Sequence, residues 1–522
     1  MAEAKGNGLY LGVELGSTRI KAALVDEACK PVAGGSYSWE NKLVEGLWSY
    51  ELEEAWKGMA AALRDLDAGE RLSSTRAIGI SAMMHGYLAF DEDDNLLVPF
   101  RTWRNTVTEE ASNELTELFQ FPIPQRWSVA HLYQAILNGE EHVGRVRFVT
   151  TLSGYIHWQL TGKKVIGVGD ASGMFPIDPV SKKFDGRLIG LFDKHANQKG
   201  FQQSLADLLP EPLVAGAAAG TLTNEGRKLL GDDVAPAVGT PLAPPEGDAG
   251  SGMIATNSIR ERTGNVSAGT SVFGMIVLEK ELPRLHTEID LVTTPDGKPV
   301  AMAHANNCSS EVDTWVKLFG EAADRLGAKV SIDELYTTLL GTALEGDADA
   351  GGMVSYGYLS GEHITEVSEG RPLLVRLPEA RVTLANLMRS HLYGALCALR
   401  MGIDILLADG VLIEEVQGHG GFFKTEEVGL RMMAAALDRP VRTLEGAGEG
   451  GAWGMAVLAR YLDEASEGTE LADFLDALFE DKMGVPAKPI PRDVAGFAKY
   501  FERYKAALPL EQQAAALFAR ER

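Results

Sequence analysis

Apolar positions open the chain in three short blocks, residues 9–15, 20–25 and 31–39, each too short for a helix and bounded by glycine, serine or charge. Such blocks predict three strands joined by tight turns. Residues 77–81 form a fourth apolar block, followed by Met83-Met84-His85-Gly86. The spacing then becomes helical over 108–119 and 129–137, with Pro122 and Pro124 between them, and over an aromatic-rich stretch at 153–160 that halts at Gly162. Residues 167–173, including Asp170 and Ser172, read as a loop. A turn of small residues, Gly247-Asp248-Ala249-Gly250-Ser251-Gly252, leads into a helix starting within 251–254.

The second half repeats the opening theme. Strands at 261–267 and 272–278 flank Ala268-Gly269-Thr270-Ser271, as the first two strands flank Gly16-Ser17-Thr18-Arg19. Helices are expected over 311–326, 332–340 and 384–408, and an aromatic-containing strand at 354–359 ends at Ser360-Gly361-Glu362-His363. A strand (412–417), a turn (Gly418-His419-Gly420-Gly421), a helix (426–437), a strand (439–444) and a helix through Tyr461 follow. Two matching strand–turn–strand units, one early in each half, predict a domain duplication, residues 1–254 and 255–522. Residues 494–522 read as helices interrupted at Pro509.

A chain of 522 residues exceeds one hydrophobic core, which agrees with two domains. The net charge of −24 argues against nucleic acid or an anionic membrane as partner. Three scattered cysteines fit a reducing cytoplasm. No secretory pattern opens the chain, because residues 1–7 are polar and the run 9–15 already carries Glu14. Arg400, Asp404 and Asp409 break the most apolar later stretch, so no membrane span is expected. A homodimer is the default expectation for oligomeric state.

The chemistry gathers in the turns. Backbone amides and hydroxyls at a glycine-rich hairpin tip can face a phosphate, although most such tips are only turns. His85 follows a strand end, where ligands gather, or is a satisfied histidine. Arg101-Thr102-Trp103-Arg104-Asn105-Thr106 combines groups suited to a hydroxyl-rich ligand, and a helix start explains part of it. Bare backbone at 418–421 before a helix suits the flat ring of an adenosine. Residues 446–451 match a dinucleotide-binding spacing, yet 463–470 is acidic and polar where a second hydrophobic strand is required. We read them as close helix packing behind the adenosine turn. The pairs Gly162-Lys163 and Gly297-Lys298 lack the remainder of a P-loop.

Taken in order, these motifs resemble the FGGY family of carbohydrate kinases, relatives in fold of actin and hexokinase. The resemblance covers nearly the whole chain: residues 12–18, Met84-His85-Gly86, Trp103 with Asn105, Thr161-Gly162, Asp170-Ala171-Ser172, Gly247-Asp248, Gly269-Thr270-Ser271, residues 359–362 and residues 418–424. The Met-His-Gly loop is similar to the xylulokinase branch. The resemblance implies an α/β fold of two actin-like (ribonuclease H-like) domains with an interdomain cleft, ATP and Mg²⁺ as cofactors, and a small sugar or polyol as substrate. It implies Asp248 as general base, also contacting sugar with Met84, His85, Trp103 and Asn105. Gly16, Ser17, Thr18, Lys21, Gly269, Thr270 and Ser271 would bind phosphates; Gly420, Gly421 and Lys424 would line the adenosine site; Glu14 and Asp248 would serve the metal. Three departures stand out: Glu14 where the family usually has aspartate, His363 where arginine is common, and no glutamate near Leu396. They motivate an alternative, a weakened sugar- or nucleotide-binding sensor, against which the retained base argues.

Overall fold

The computed structural model describes residues 8–444, 450–466 and 468–518. They divide into two compact units, the first drawn from residues 8–259, 290–300 and 450–481, the second from 260–289, 301–444 and 482–518.

In the first unit, Leu9–Leu15 is apolar almost throughout because it is a central strand covered on both faces. It pairs antiparallel with Arg19–Val25, which pairs antiparallel with Pro31–Ser38, an edge strand with a largely open pattern. On its other side it pairs parallel with Thr75–Ala82, and the two-residue strand Glu246–Gly247 completes the five-stranded sheet. Leu11, Val13, Ile20, Ile78 and Ile80 belong to one hydrophobic core with Met59 and Leu63 of the helix Leu52–Asp65. Helix Gly450–Glu464, contributed from late in the chain, packs on Gly12 and Gly79, where only a hydrogen fits beneath the backbone carbonyls of Ala452 and Met455.

The second unit repeats the scheme. Thr263–Ala268 pairs antiparallel with Val272–Val277 and parallel with Glu415–His419, which is followed by the short strand Val441–Arg442. Pro299–Ala305 lies next to Val272–Val277 in the same sheet. Leu384–Ala408 is the one helix among the described residues long and apolar enough to cross a membrane, and 67% of that window is buried inside the protein, as a core helix requires.

Several expectations change. Residues expected to loop at 167–173 contain a short helix, Val168–Ala171. The expected strand at 439–444 shrinks to Val441–Arg442. Pro509 does not interrupt the last helix, which runs Pro491–Leu517, with Glu511 beyond the proline buried and accepting the Arg371 backbone N–H at 2.6 Å. One lost hydrogen bond is outweighed when the next turn is fastened to its surroundings. The hairpin of Lys42–Val44 and Leu47–Ser49, too short to show periodicity, was not expected.

Burial also sets a pH dependence. His131 is fully buried with neither ring nitrogen hydrogen-bonded, and burial, helped by the Arg101 charge, pushes its pKa down to about 3. A native histidine that stays neutral while the unfolded chain takes up a proton costs stability as pH falls below the unfolded value near 6.5. His131→Phe is therefore expected to gain on the wild type by about 1.4 kcal/mol per pH unit between roughly pH 6 and 4. Denaturant midpoints at several pH values check this; parallel pH profiles would rule it out.

Candidate functional site

Register brings the chemistry together. Glu14 and Glu246 flank Ser81 at one level of the first sheet, and Leu15, Ala82 and Gly247 form the next level. All three strands are parallel, so the chain leaves the sheet at Gly16, Met83 and Asp248 along the same carboxyl edge.

Asp248 is the first residue of helix Asp248–Ala255. Its Oδ1 accepts the backbone N–H groups of Met84 at 3.1 Å and Ala249 at 3.0 Å. The residue keeps an exposed surface, yet protein crowded around the carboxyl raises its pKa above the usual aspartate value; these amides and the Arg126 charge act in the opposite direction. Glu14 lies close enough for its pKa to be raised by burial and by the Asp248 charge, while Lys21 lowers it, with Nζ 3.9 Å from Oε2. Backbone N–H groups of Gly451 and Ala452 also hydrogen-bond Glu14. A Cβ on Gly451 would stand 2.5 Å from Glu14 Oε1, so the glycine is what lets a side chain one methylene longer than aspartate fit.

Behind this front lie two buried carboxyls. Asp170 Oδ2 accepts hydrogen bonds from the hydroxyls of Thr151, at 2.7 Å, and Ser153, while its Oδ1 has no partner. Glu246 accepts the Asp170 backbone N–H at 3.0 Å. Burial raises the Asp170 pKa to about 7 and raises Glu246 well above the usual carboxylate range, the neighbouring Asp170 charge adding to the latter. A Cβ on Gly247 would come 3.2 Å from Asp170 Oδ1 and 2.8 Å from Met84 Cγ, so this group supports the turn that carries Asp248.

His85 is buried, in a left-handed conformation with φ 71°. Its Nδ1 is 3.2 Å from the Gly173 carbonyl, which can only accept, so Nδ1 carries the hydrogen and Nε2 presents a lone pair. Burial, then the charge of Arg126, lowers its pKa to about 3 and keeps it neutral. Trp103 is 40% exposed and its indole N–H donates to Ser17 Oγ at 3.3 Å. The Asn105 side chain is committed to protein: Oδ1 accepts the Trp48 N–H at 2.8 Å, and Nδ2 donates to the carbonyls of Trp48, at 2.8 Å, and Thr102, at 3.1 Å. Its amide thus ties the 42–49 hairpin to the Trp103 loop. The Gly16–Thr18 turn is braced by the Trp39 indole on Gly16 O, 2.7 Å, and the Tyr50 hydroxyl on Ser17 O, 2.6 Å.

In the second unit, Gly269 N–H donates to Ser271 O at 2.9 Å, closing the second hydroxyl-glycine turn, and Cys308 N–H holds Thr270 O at 2.9 Å. Gly420, with φ 98°, lies against Ala268, where a Cβ would be 2.5 Å from the carbonyl oxygen. Parallel pairing therefore lets the chain leave the sheet at Ala268 and Gly420 side by side, and Gly420, Gly421 and Lys424 are exposed.

The dinucleotide-like run is placed differently from expectation. Residues 446–449 lie outside the described residues; Gly450 and Gly451 pack beside Glu14, Lys21 and Ser251 of the first unit, rather than behind the adenosine turn. The sequence reading also passed over Arg126, Asp290 and Glu246, and left Asp170 without a role. Asp170 stood in a motif that could be noticed; the others come into place only through pairing across distant segments.

Two family models match. The N-terminal domain of the FGGY family of carbohydrate kinases matches residues 9–242, and its C-terminal domain matches residues 264–462. Xylulose kinase from Haemophilus influenzae is 23% identical over 95% of this chain and 98% of its own length, and that from Escherichia coli 22% over 98% and 100%. Among solved structures, a xylulose kinase from Brucella ovis covers 96% of this chain and 99% of its own at 20% identity with a TM-score of 0.78. A gluconate kinase from Lactobacillus acidophilus covers 97% and 100% at 18% identity, also at 0.78. These place the two mixed sheets in the actin-like α/β fold of two domains. The chain belongs to the FGGY family of ATP-dependent carbohydrate kinases.

Proposed function

We propose that the protein transfers the γ-phosphate of ATP to a hydroxyl of a ketopentose, xylulose-like, or of a related sugar or polyol, in the cytoplasm, with Asp248 as general base. The observation that carries this reading is an ionisable carboxylate held by the Met84 amide on the same sheet edge as His85 and the Gly16–Thr18 turn. Residues 1–254 are assigned the sugar and the first phosphate turn, and residues 255–522 the nucleotide.

Asp248 takes the proton of the attacking hydroxyl as its oxygen forms a bond to the γ-phosphorus and ADP leaves. A positioned base contributes about 10²–10⁴-fold, and alignment and charge supply the remainder. Nε2 of His85 accepts a hydrogen bond from another sugar hydroxyl, Met84 lines the same loop, and the exposed Trp103 ring covers the apolar side of the sugar. Asn105 acts by holding the Trp103 loop. The amides and hydroxyls of Gly16, Ser17, Thr18, Gly269, Thr270 and Ser271 bind phosphate oxygens together with Lys21, and Gly420, Gly421 and Lys424 line the adenosine.

Glu14 and Asp248 fit magnesium: burial and the neighbouring Asp248 charge raise the Glu14 pKa, and the single charge of Lys21, 3.9 Å from Glu14 Oε2, does not cancel those of both carboxylates. Magnesium keeps most of its water and takes one or two carboxylates together with phosphate oxygens, so a pair of carboxylates is the donor set it needs from the protein. When bound, the ion supplies positive charge to the phosphates.

A coupled ADP-release assay over ketopentoses, polyols and deoxy sugars is expected to show acceptor-stimulated turnover. Sugar binding without turnover on every member would replace this reading with the sensor.

A further inference from the structure

Arg126 is fastened to the sugar loop through its backbone: its carbonyl accepts the Gly86 N–H at 3.1 Å. The next residue, Trp127, stacks on the His85 ring at 6.5 Å and 18°, and Ser128 Oγ donates to Gly86 O at 2.6 Å. The guanidinium pairs through Nη2 with Asp290 Oδ2, the side chains being 28% and 17% exposed. Both residues belong to the first unit. The pair is therefore partly open to solvent. Chemically it is useful: Nη2 is the guanidinium nitrogen that donates to Asp290, Nε–H and Nη1–H are further donors of the same group, and an ionised carboxylate acts only as an acceptor. Its charges also reach the reacting groups, since Arg126 lowers the pKa of both Asp248 and His85, and Asp290 raises that of His85.

We propose that the Arg126–Asp290 pair selects the acceptor, gripping two adjacent hydroxyls of a neutral ketose or polyol and disfavouring a sugar acid. Arginine donates to one hydroxyl oxygen while Asp290 accepts the hydrogen of its neighbour, a complementary fit for a vicinal diol. An acceptor carboxylate would instead meet the negative charges of Asp290 and Asp248, and the Arg126 guanidinium is already paired with Asp290. This inference rests on the kinase reading above and narrows its substrate class.

The test compares a neutral ketopentose or polyol with the aldonate of matching chain length, in wild type, Arg126→Gln, Arg126→Lys and Asp290→Asn. Wild type is expected to have the higher kcat/KM on the neutral acceptor. Arg126→Gln is expected to raise the acceptor KM by about tenfold or more, with kcat within about threefold and the ATP KM unchanged, and Arg126→Lys to recover part of the loss. Asp290→Asn is expected to shift the aldonate-to-neutral ratio of kcat/KM by about tenfold towards the aldonate, because one negative charge facing the guanidinium and the acceptor is removed. Wild-type preference for the aldonate, or an unchanged acceptor KM in folded Arg126→Gln, overturns the proposal while leaving the kinase reading intact. Absence of acceptor-stimulated turnover in wild type overturns both.

Discussion

Asp248→Asn is expected to lower kcat by about 10²–10⁴-fold while ATP affinity stays within a few-fold of wild type. The amide keeps an oxygen for the Met84 and Ala249 N–H groups, which lie 3.1 and 3.0 Å from Oδ1, so the turn survives and the proton acceptor is lost. The pH profile gives a second readout. Protein packed around the carboxyl raises its pKa, so the acid limb of wild-type kcat/KM lies above the ordinary aspartate value, with activity lost as pH falls through it. That limb disappears in the variant. Full activity in Asp248→Asn, measured by the coupled assay beside a nucleotide-binding isotherm, would remove the aspartate from the role of base.

The largest expected effect on stability comes from a single methyl group. In Gly12→Ala, the new Cβ would stand 1.8 Å from the Ala452 carbonyl oxygen and 2.6 Å from the Ala456 nitrogen. Both are backbone atoms of helix Gly450–Glu464, so no side chain can swing aside and the helix must lift from the sheet. We expect a loss of about 3 kcal/mol or more, beyond ordinary overpacking, with the first unit melting early. Gly34→Ala, on the edge strand with nothing within 4 Å of the added carbon, is the control and should change stability by less than about 0.5 kcal/mol. Equal melting temperatures for the two variants would contradict this account of the packing. The same lift would withdraw the amides of Gly451 and Ala452 from Glu14, so packing and site are coupled at this helix.

Much of the design was legible along the chain because its signals are local. The apolar blocks at 9–15 and 272–278 are strands with those or nearly those bounds, and the long helix Leu384–Ala408 and the helix Glu426–Leu437 fall where periodicity puts them. Gly16, Gly269 and Gly420 announced themselves as turns because turn chemistry is written in adjacent residues. Pro509 misled for the same reason: a local breaker signal carries no information about the packing that overrides it.

By itself, then, the sequence determined the alternation of strands and helices, the glycine-hydroxyl turns and the family. Only the tertiary structure decided that Glu14, Met84 and Asp248 share a sheet edge, since parallel register joins strands distant in the chain and the Met84–Asp248 hydrogen bond spans 164 positions. It also decided that helix Gly450–Glu464 returns to the first unit, that Asn105 serves a hairpin, that Asp170 is paired with hydroxyls and Glu246, and that Arg126 meets Asp290. The reason is physical: propensity and turn chemistry act over a few residues, whereas the placement of charge depends on which distant strands pair and how closely helices can approach them.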